Sequence, residues 1–207
     1  MARVRGARCR LCRREGIKLY LKGIRCGGDK CAIERRNSVP GQHKMRKKIS
    51  DYGVQMREKQ KMKKIYGMLE KQFRIFFQRA LQFPGITGEV LIQLLERRLD
   101  NVVLKMLIVP SRSEARQFIR HGFIKINKRK VDIPSYLVKE GDVISVVEKE
   151  SVKKRIADNL EMLKDRETPE WISLDRKTQV ATITRLPTKA DAALPIEENL
   201  IVELYSK

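Results

Sequence analysis

Four cysteines within the first 31 residues carry the most specific chemistry in the chain. Cys9, Cys12, Cys26 and Cys31 follow the spacing C-x2-C-x13-C-x4-C, two pairs separated by a loop, which is the usual way of delivering four thiolates to one tetrahedral ion. Zinc is the leading reading, as a structural ion with no open coordination position. An iron-sulfur cluster takes the same four ligands and is left open by the spacing. The bland alternative is four unrelated or redox-active thiols. Arg8, Arg10, Arg13, Arg14, Arg25 and Lys30 stand within two positions of a cysteine and favour the thiolate forms. An ion would substitute for a core here. The segment is too charged to bury much apolar surface, and structural zinc contributes on the order of 10 kcal/mol of folding energy.

The second chemistry is phosphate neutralisation. The 207 residues hold 46 Lys and Arg against 25 Asp and Glu, a formal net charge of +21. Residues 1–64 alone hold 21 basic and 5 acidic side chains. That much self-repulsion calls for a polyanionic partner. Tyr20 and Tyr52 are the only aromatic residues before Tyr66, too few for a binder that reads single strands by stacking, so the footprint suits phosphates and the shape of folded RNA. Its candidate contacts are Arg3, Arg5, Arg13, Arg14, Arg35, Arg36, Arg46, Lys47 and Lys48, with His43 and Lys44 in the turn-rich loop Pro40-Gly41-Gln42-His43-Lys44, and Arg57, Lys59 and Lys61 beyond it. A solvated arm or a localisation signal is the competing reading of such runs. No window reaches 18 apolar residues, and Met1 to Gly6 lacks the apolar stretch of a secretory signal, so a cytoplasmic chain with reduced thiols and no membrane partner is expected.

The elements that position these groups read as an α+β fold, with 42% hydrophobic residues available for cores. From Ser50 to Gln82 the pattern is helical. Ser50 and Asp51 can cap the first turn, Val54, Met62, Ile65, Met68, Leu69, Phe73 and Phe76 form the apolar stripe, and Gly67 marks a break. A second helix follows Thr87, its face built from Val90, Leu91, Leu94, Leu95 and Leu99. Ser111 and Glu114 read as a capping box for a short helix that Gly122 stops, with His121 at its end. Arg112, Arg116 and Arg120 fall at i, i+4 and i+8 on that helix. Like charges at this spacing repel by some tenths of a kcal/mol each, so a bound anion is expected to offset them. Strands are expected at Phe123 to Ile126, Val131 to Pro134, Val143 to Val147 and Gln179 to Ile183. Asn127 to Lys130 should form a basic turn presenting Lys128, Arg129 and Lys130. Trp171 reads as a core plug, and Pro187 to Pro195 as a linker.

The run Arg98-Leu99-Asp100-Asn101-Val102-Val103, then Ser111 to Ile119, His121-Gly122, Val131 to Ser135 and Gly141-Asp142 resembles the RNA-binding module named after ribosomal protein S4. The likeness extends to Arg13-Arg14-Glu15-Gly16, Lys30 to Asn37, Pro40 to His43, Ser50 to Gly53, Arg57 to Lys61, Glu70 to Phe73 and the ending Leu200 to Lys207. The chain is thus similar end to end to the bacterial S4 family in its cysteine-bearing form. That resemblance implies a metal-bound basic arm over 1–50, and a helical domain over 51–95 completed by about 190–207. It also implies an inserted module of small helices on an antiparallel sheet over 96–189, with its core at 97–150. A helix near Ile196 to Tyr205 would return onto residues 51–95. The function implied is that of a small-subunit protein that binds 16S ribosomal RNA directly and early and nucleates the subunit body. It would contact proteins S3 and S5 near the path by which messenger RNA enters, and contribute, functionally with S12, to translational accuracy. Lys128 stands where the family usually has Gly, Leu104 where an aromatic is frequent, and Lys44 where Gly is common. Some relatives lack the cysteines, so metal is not essential to the function in general. An RNA-modifying enzyme of the pseudouridine synthase type carrying the same module is the alternative, although no stretch carries a recognisable nucleophile and base. A zinc-dependent DNA regulator is a third reading and lacks a recognition helix at the cysteines. No small-molecule substrate is expected.

Overall fold

A computed structural model describes residues 6–42, 48–163, 166–176 and 178–206. Its elements begin with α1 (Arg8–Glu15), a 3-10 turn (Gly23–Cys26), α2 (Ala32–Arg35), α3 (Asp51–Ile65), α4 (Glu70–Gln82), α5 (Thr87–Glu96), α6 (Leu99–Lys105) and α7 (Arg112–Arg120). They continue with β1 (Ile124–Ile126), β2 (Arg129–Lys130), β3 (Val143–Val146), α8 (Glu150–Met162), β4 (Ile172–Asp175), β5 (Val180–Ile183), α9 (Lys189–Ala192) and α10 (Glu198–Ser206). Two compact units result. One takes the chain up to Leu91 together with the residues from Leu194, and the other takes Ile92–Ala193.

In the first unit α3 starts where Ser50 Oγ accepts the Gly53 N–H at 3.3 Å, filling one of the donors a helix start leaves unpaired. It ends at Gly67, whose φ of 59° allows two closing bonds: Gly67 N–H to Lys64 O and Met68 N–H to Lys63 O. The core gathers Met62, Ile65, Met68, Phe73, Phe76, Phe77 and Ile201. Helix α10 packs on α3, and its Tyr205 ring stacks on Phe77 at 4.4 Å and on Phe73 at 6.3 Å. Val54 departs from the stripe read in the sequence: it is exposed, while Gln55, Glu58 and Lys59 are buried. Long-range polar partners explain the exchange, since Glu58 accepts the Glu197 N–H and Lys59 donates to Glu70.

The second unit places α6, α7 and α8 with a five-stranded sheet in the order β2-β1-β3-β5-β4, every pair antiparallel. Ile124 pairs with Val146, and Ile144 with Ala181. Leu99, Val102, Phe118, Ile119, Ile124, Ile144, Ile156 and Trp171 share one core, with Trp171 fully buried. Residues 131–134 form no strand. The neighbouring carbonyls of Pro134 and Tyr136 instead accept the Asp100 and Leu99 N–H groups that open α6, donors the helix itself cannot pair. The stretch read as a linker holds α9, begun by a reciprocal capping box between Thr188 and Asp191. The Asp191 carboxyl lies well below the usual range because Arg185 bonds it at 2.7 and 2.9 Å.

Candidate nucleic-acid interface

Helix α7 rests on a buried polar spine. Arg98, Asp100 and Asn101 are all but inaccessible, and the Asp100 carboxylate accepts Nε and Nη2 of Arg98 at 3.1 and 2.8 Å and Nε of Arg116 at 2.7 Å. Asn101 Oδ1 accepts Nε of Arg112 at 2.9 Å, and its amide donates to Glu96 Oε2 at 2.7 Å. The Asp100 carboxylate, shared with Arg98, meets Arg116 from inside the protein, whereas Asn101 is uncharged and only orients Arg112, so the row keeps positive charge for an external anion to offset. Arg112 and Arg116 are anchors as well as cations. Arg120, one turn further, is exposed. The capping box at Ser111 is half formed: Ser111 Oγ accepts the Glu114 N–H at 3.3 Å, whereas the Glu114 carboxylate turns to Arg155.

The hairpin of β1 and β2 turns through Asn127 and Lys128, with φ of 48° and 68°, the left-handed pair that a two-residue turn between twisted strands requires. Asn127 is held three ways: its amide donates to Asp142 Oδ1, its Oδ1 accepts the Val143 N–H, and its N–H reaches Val143 O, each at 2.9 Å. Among the described residues Lys128 has no such support, and it occupies a conformation glycine adopts more readily. Lys128, Arg129 and Lys130 are all exposed. The Lys130 chain crosses Gly122 so closely that a Cβ there would lie 1.9 Å from Lys130 Cε. That approach brings the hairpin cations to the end of α7, where Arg120 and His121 face solvent and His121 stacks on Phe123 at 5.7 Å. His121 joins this basic edge without having been singled out as a contact, although a histidine ahead of the stop glycine was the visible signal.

In the first unit Cys9, Cys12, Cys26 and Cys31 line one small cavity with Arg8, Leu21, Lys22, Arg25 and Lys30. Three of the thiols are buried. The Lys22 N–H donates to Cys26 Sγ at 3.3 Å. Burial pushes the Cys12 thiol up, a backbone hydrogen bond from Leu19 opposes this, and the other three thiols raise it further. The donor set suits a thiophilic ion. Among the described residues, however, no three Cys, His, Asp or Glu side chains stand grouped as ligands.

The cations of residues 1–64 divide by fate. Arg14, Arg35, Arg36 and Lys48 are exposed. Arg13 is turned inward, its Nε donating to Ser38 O at 2.9 Å. Arg57 and Lys64 both grip the buried Glu15 carboxylate, tying α1 to α3. Lys61 pairs with Glu58. Lys59 is buried, 2.7 Å from Glu70 and against the Tyr205 ring. Its ammonium therefore acts within the fold, where sequence placed it among the phosphate contacts. Arg3, Arg5, His43, Lys44, Arg46 and Lys47 lie outside the described residues. Among the described residues, no helix is long and apolar enough to cross a membrane.

Comparison with known proteins accounts for both units. Residues 3–96 match the ribosomal protein S4/S9 N-terminal domain, and residues 97–144 match the S4 domain. The small ribosomal subunit protein uS4 of Acetivibrio thermocellus is 55% identical over 208 aligned positions, and that of Halothermothrix orenii is 53% identical. The corresponding protein of Pelotomaculum thermopropionicum is 54% identical, and all three alignments cover both chains completely. With an S4 module on a buried Arg98-Asp100-Asn101 spine behind an S4/S9 N-terminal domain, and relatives matching over their entire length, the chain belongs to the ribosomal protein uS4 family.

Proposed function

We propose that this protein is a structural constituent of the small ribosomal subunit in the cytoplasm, binding 16S ribosomal RNA directly through its basic arm and the edge formed by α7 and the β1–β2 hairpin. The observation that carries this is the full-length identity of about half its residues to small-subunit proteins. It acts as a structural protein and not as an enzyme. The modifying-enzyme alternative finds no support, because the relatives that cover the whole chain are ribosomal. Binding works by Lys and Arg displacing counterions from phosphates, so the logarithm of affinity falls with the logarithm of salt by about 0.7 to 0.9 per phosphate neutralised. Footprinting of 16S RNA with the purified protein tests the reading. Discrete protections that fade steeply with salt support it, and binding no tighter than to unrelated RNA overturns it.

The finer readings rest on the family resemblance. Cys9, Cys12, Cys26 and Cys31 hold a structural zinc ion, or in the alternative an iron-sulfur cluster. The exposed cations Arg14, Arg35, Arg36, Lys48, Arg120, Lys128, Arg129 and Lys130 face RNA, together with Arg3, Arg5, His43, Lys44, Arg46 and Lys47. Early binding nucleates the subunit body, and contacts with S3 and S5 near incoming messenger RNA contribute to accuracy. What supports the metal is a single cavity lined by four sulfur donors and ringed by cations. Elemental analysis of the purified protein reads the ion directly. Cys26→Ser should make residues 6–42 protease-sensitive while the second unit stays resistant; unchanged proteolysis of the arm removes the metal from the account.

A further inference from the structure

Tyr20 is the one aromatic residue among the described residues held at positive φ, 49°, a conformation that costs a bulky side chain on the order of 1 to 2 kcal/mol. Its neighbours explain how it is held. Leu19 is buried at 2% exposure, and its backbone hydrogen-bonds the Cys12 sulfur. Two residues beyond Tyr20, the Lys22 N–H donates to Cys26 Sγ at 3.3 Å, and Leu21 lines the thiol cavity. The loop is thus pinned to sulfur on both sides of Tyr20, and the left-handed step between the pins turns the ring outward. Tyr20 is 54% exposed. Among the described residues its ring stacks on no other ring and its hydroxyl makes no hydrogen bond. A strained, half-exposed aromatic whose ring meets no other ring among the described residues has the features of a binding residue.

The surroundings name the occupant. Lys18 is paired with Glu34 at 2.6 Å, which leaves Lys22 and Arg25 as the cations near Tyr20 in sequence, both exposed together with Ile24. Cations around a free ring are the arrangement that takes an unstacked nucleobase while neighbouring phosphates are neutralised. Resting on the RNA-binding reading above, we infer that Tyr20 is a stacking platform for one unpaired nucleotide of the bound RNA, presented by the thiol cluster. The thiol site then has a positional task besides holding the arm together, and one contact of this phosphate binder is to a base.

The test measures 16S RNA affinity of the full-length protein as a function of salt, with chemical probing of unpaired bases. Tyr20→Leu should weaken binding about 5- to 100-fold, the range for losing one base stack, with the salt slope unchanged because no phosphate contact is lost. One base protected by wild type should become reactive, and Tyr20→Phe should restore it. Tyr20→Gly relieves the backbone, so it should keep or raise the thermal stability while losing affinity as Tyr20→Leu does. Equal affinity and protections for wild type and Tyr20→Leu overturn the inference. So does a defect seen only on incorporation into assembled subunits, which would assign the ring to a protein neighbour. Failure of wild type itself to bind 16S RNA sinks the RNA reading, a separate result.

Discussion

Single residues show where charge serves RNA and where it serves the fold. Lys128 adds a cation at the hairpin tip at the expense of a left-handed backbone, so its two effects can be separated. Lys128→Gly should stabilise the second unit by up to about 1 kcal/mol in thermal unfolding, while the salt slope of RNA binding falls by about 0.7 to 0.9. The arginines of α7 separate in the same way. Asp100→Ala leaves Arg98 buried without its carboxylate, and a loss of about 3 to 5 kcal/mol is expected in denaturant melts. Arg120→Ala, at an exposed position, should change stability by less than about 0.5 kcal/mol and still weaken binding. The row Arg112, Arg116, Arg120 was legible in the sequence as a face. Its inward partners were not, because Asp100 and Asn101 lie more than ten residues upstream of the side chains they hold, and helical periodicity is blind to such pairs. The cysteine spacing was legible, whereas Tyr20 was counted only as one of too few aromatics for stacking, since only backbone angles reveal its strain.

Elements were readable where local chemistry fixed them. Ser50, Gly67 and Gly122 set helix ends that the structure keeps. Val54 misled because an apolar stripe was counted without the polar residues that ion pairing carries inward, and α9 was hidden by flanking prolines although Thr188 and Asp191 spell its start. The junction of α3, α4 and α10 also carries a pH dependence. Partial burial would raise the Glu70 carboxyl, but hydrogen bonds from Lys59 and Lys63 outweigh it and bring it down to about 2 from an ordinary 4.5. A carboxyl lowered on folding stabilises the folded state above its unfolded pKa and loses that effect as protons bind. The first unit should therefore loosen as pH falls from 4.5 toward about 2, with exposure to solvent keeping the effect modest. Near-ultraviolet dichroism of Tyr205, stacked on Phe77, would follow it, and Glu70→Gln should flatten the transition. A wild-type signal that stays level across that interval would show the pair to be inert.

At the scale of the molecule, the charge asymmetry of the sequence and the closing of the first unit by α10 tell one story. Helix α3 uses part of the basic surplus of residues 1–64 internally, on Glu15, Glu58 and Glu70, so the salt slope of RNA binding should correspond to fewer phosphates than the Lys and Arg count suggests. Titration between about 50 and 200 mM salt reads that number. The return of the last helix to the first unit was legible only through family resemblance, since nothing in residues 198–206 names the surface it meets. That return imposes an order on synthesis. Chains grow from the amino end, so Phe73 and Phe77 leave the translating machine long before Tyr205 exists to cover them. The second unit can mature meanwhile, but the first stays incomplete until residues 198–206 are made. A nascent copy that stops before residues 198–206 would carry a bare aromatic face, fit for chaperones or aggregation and unfit for assembly.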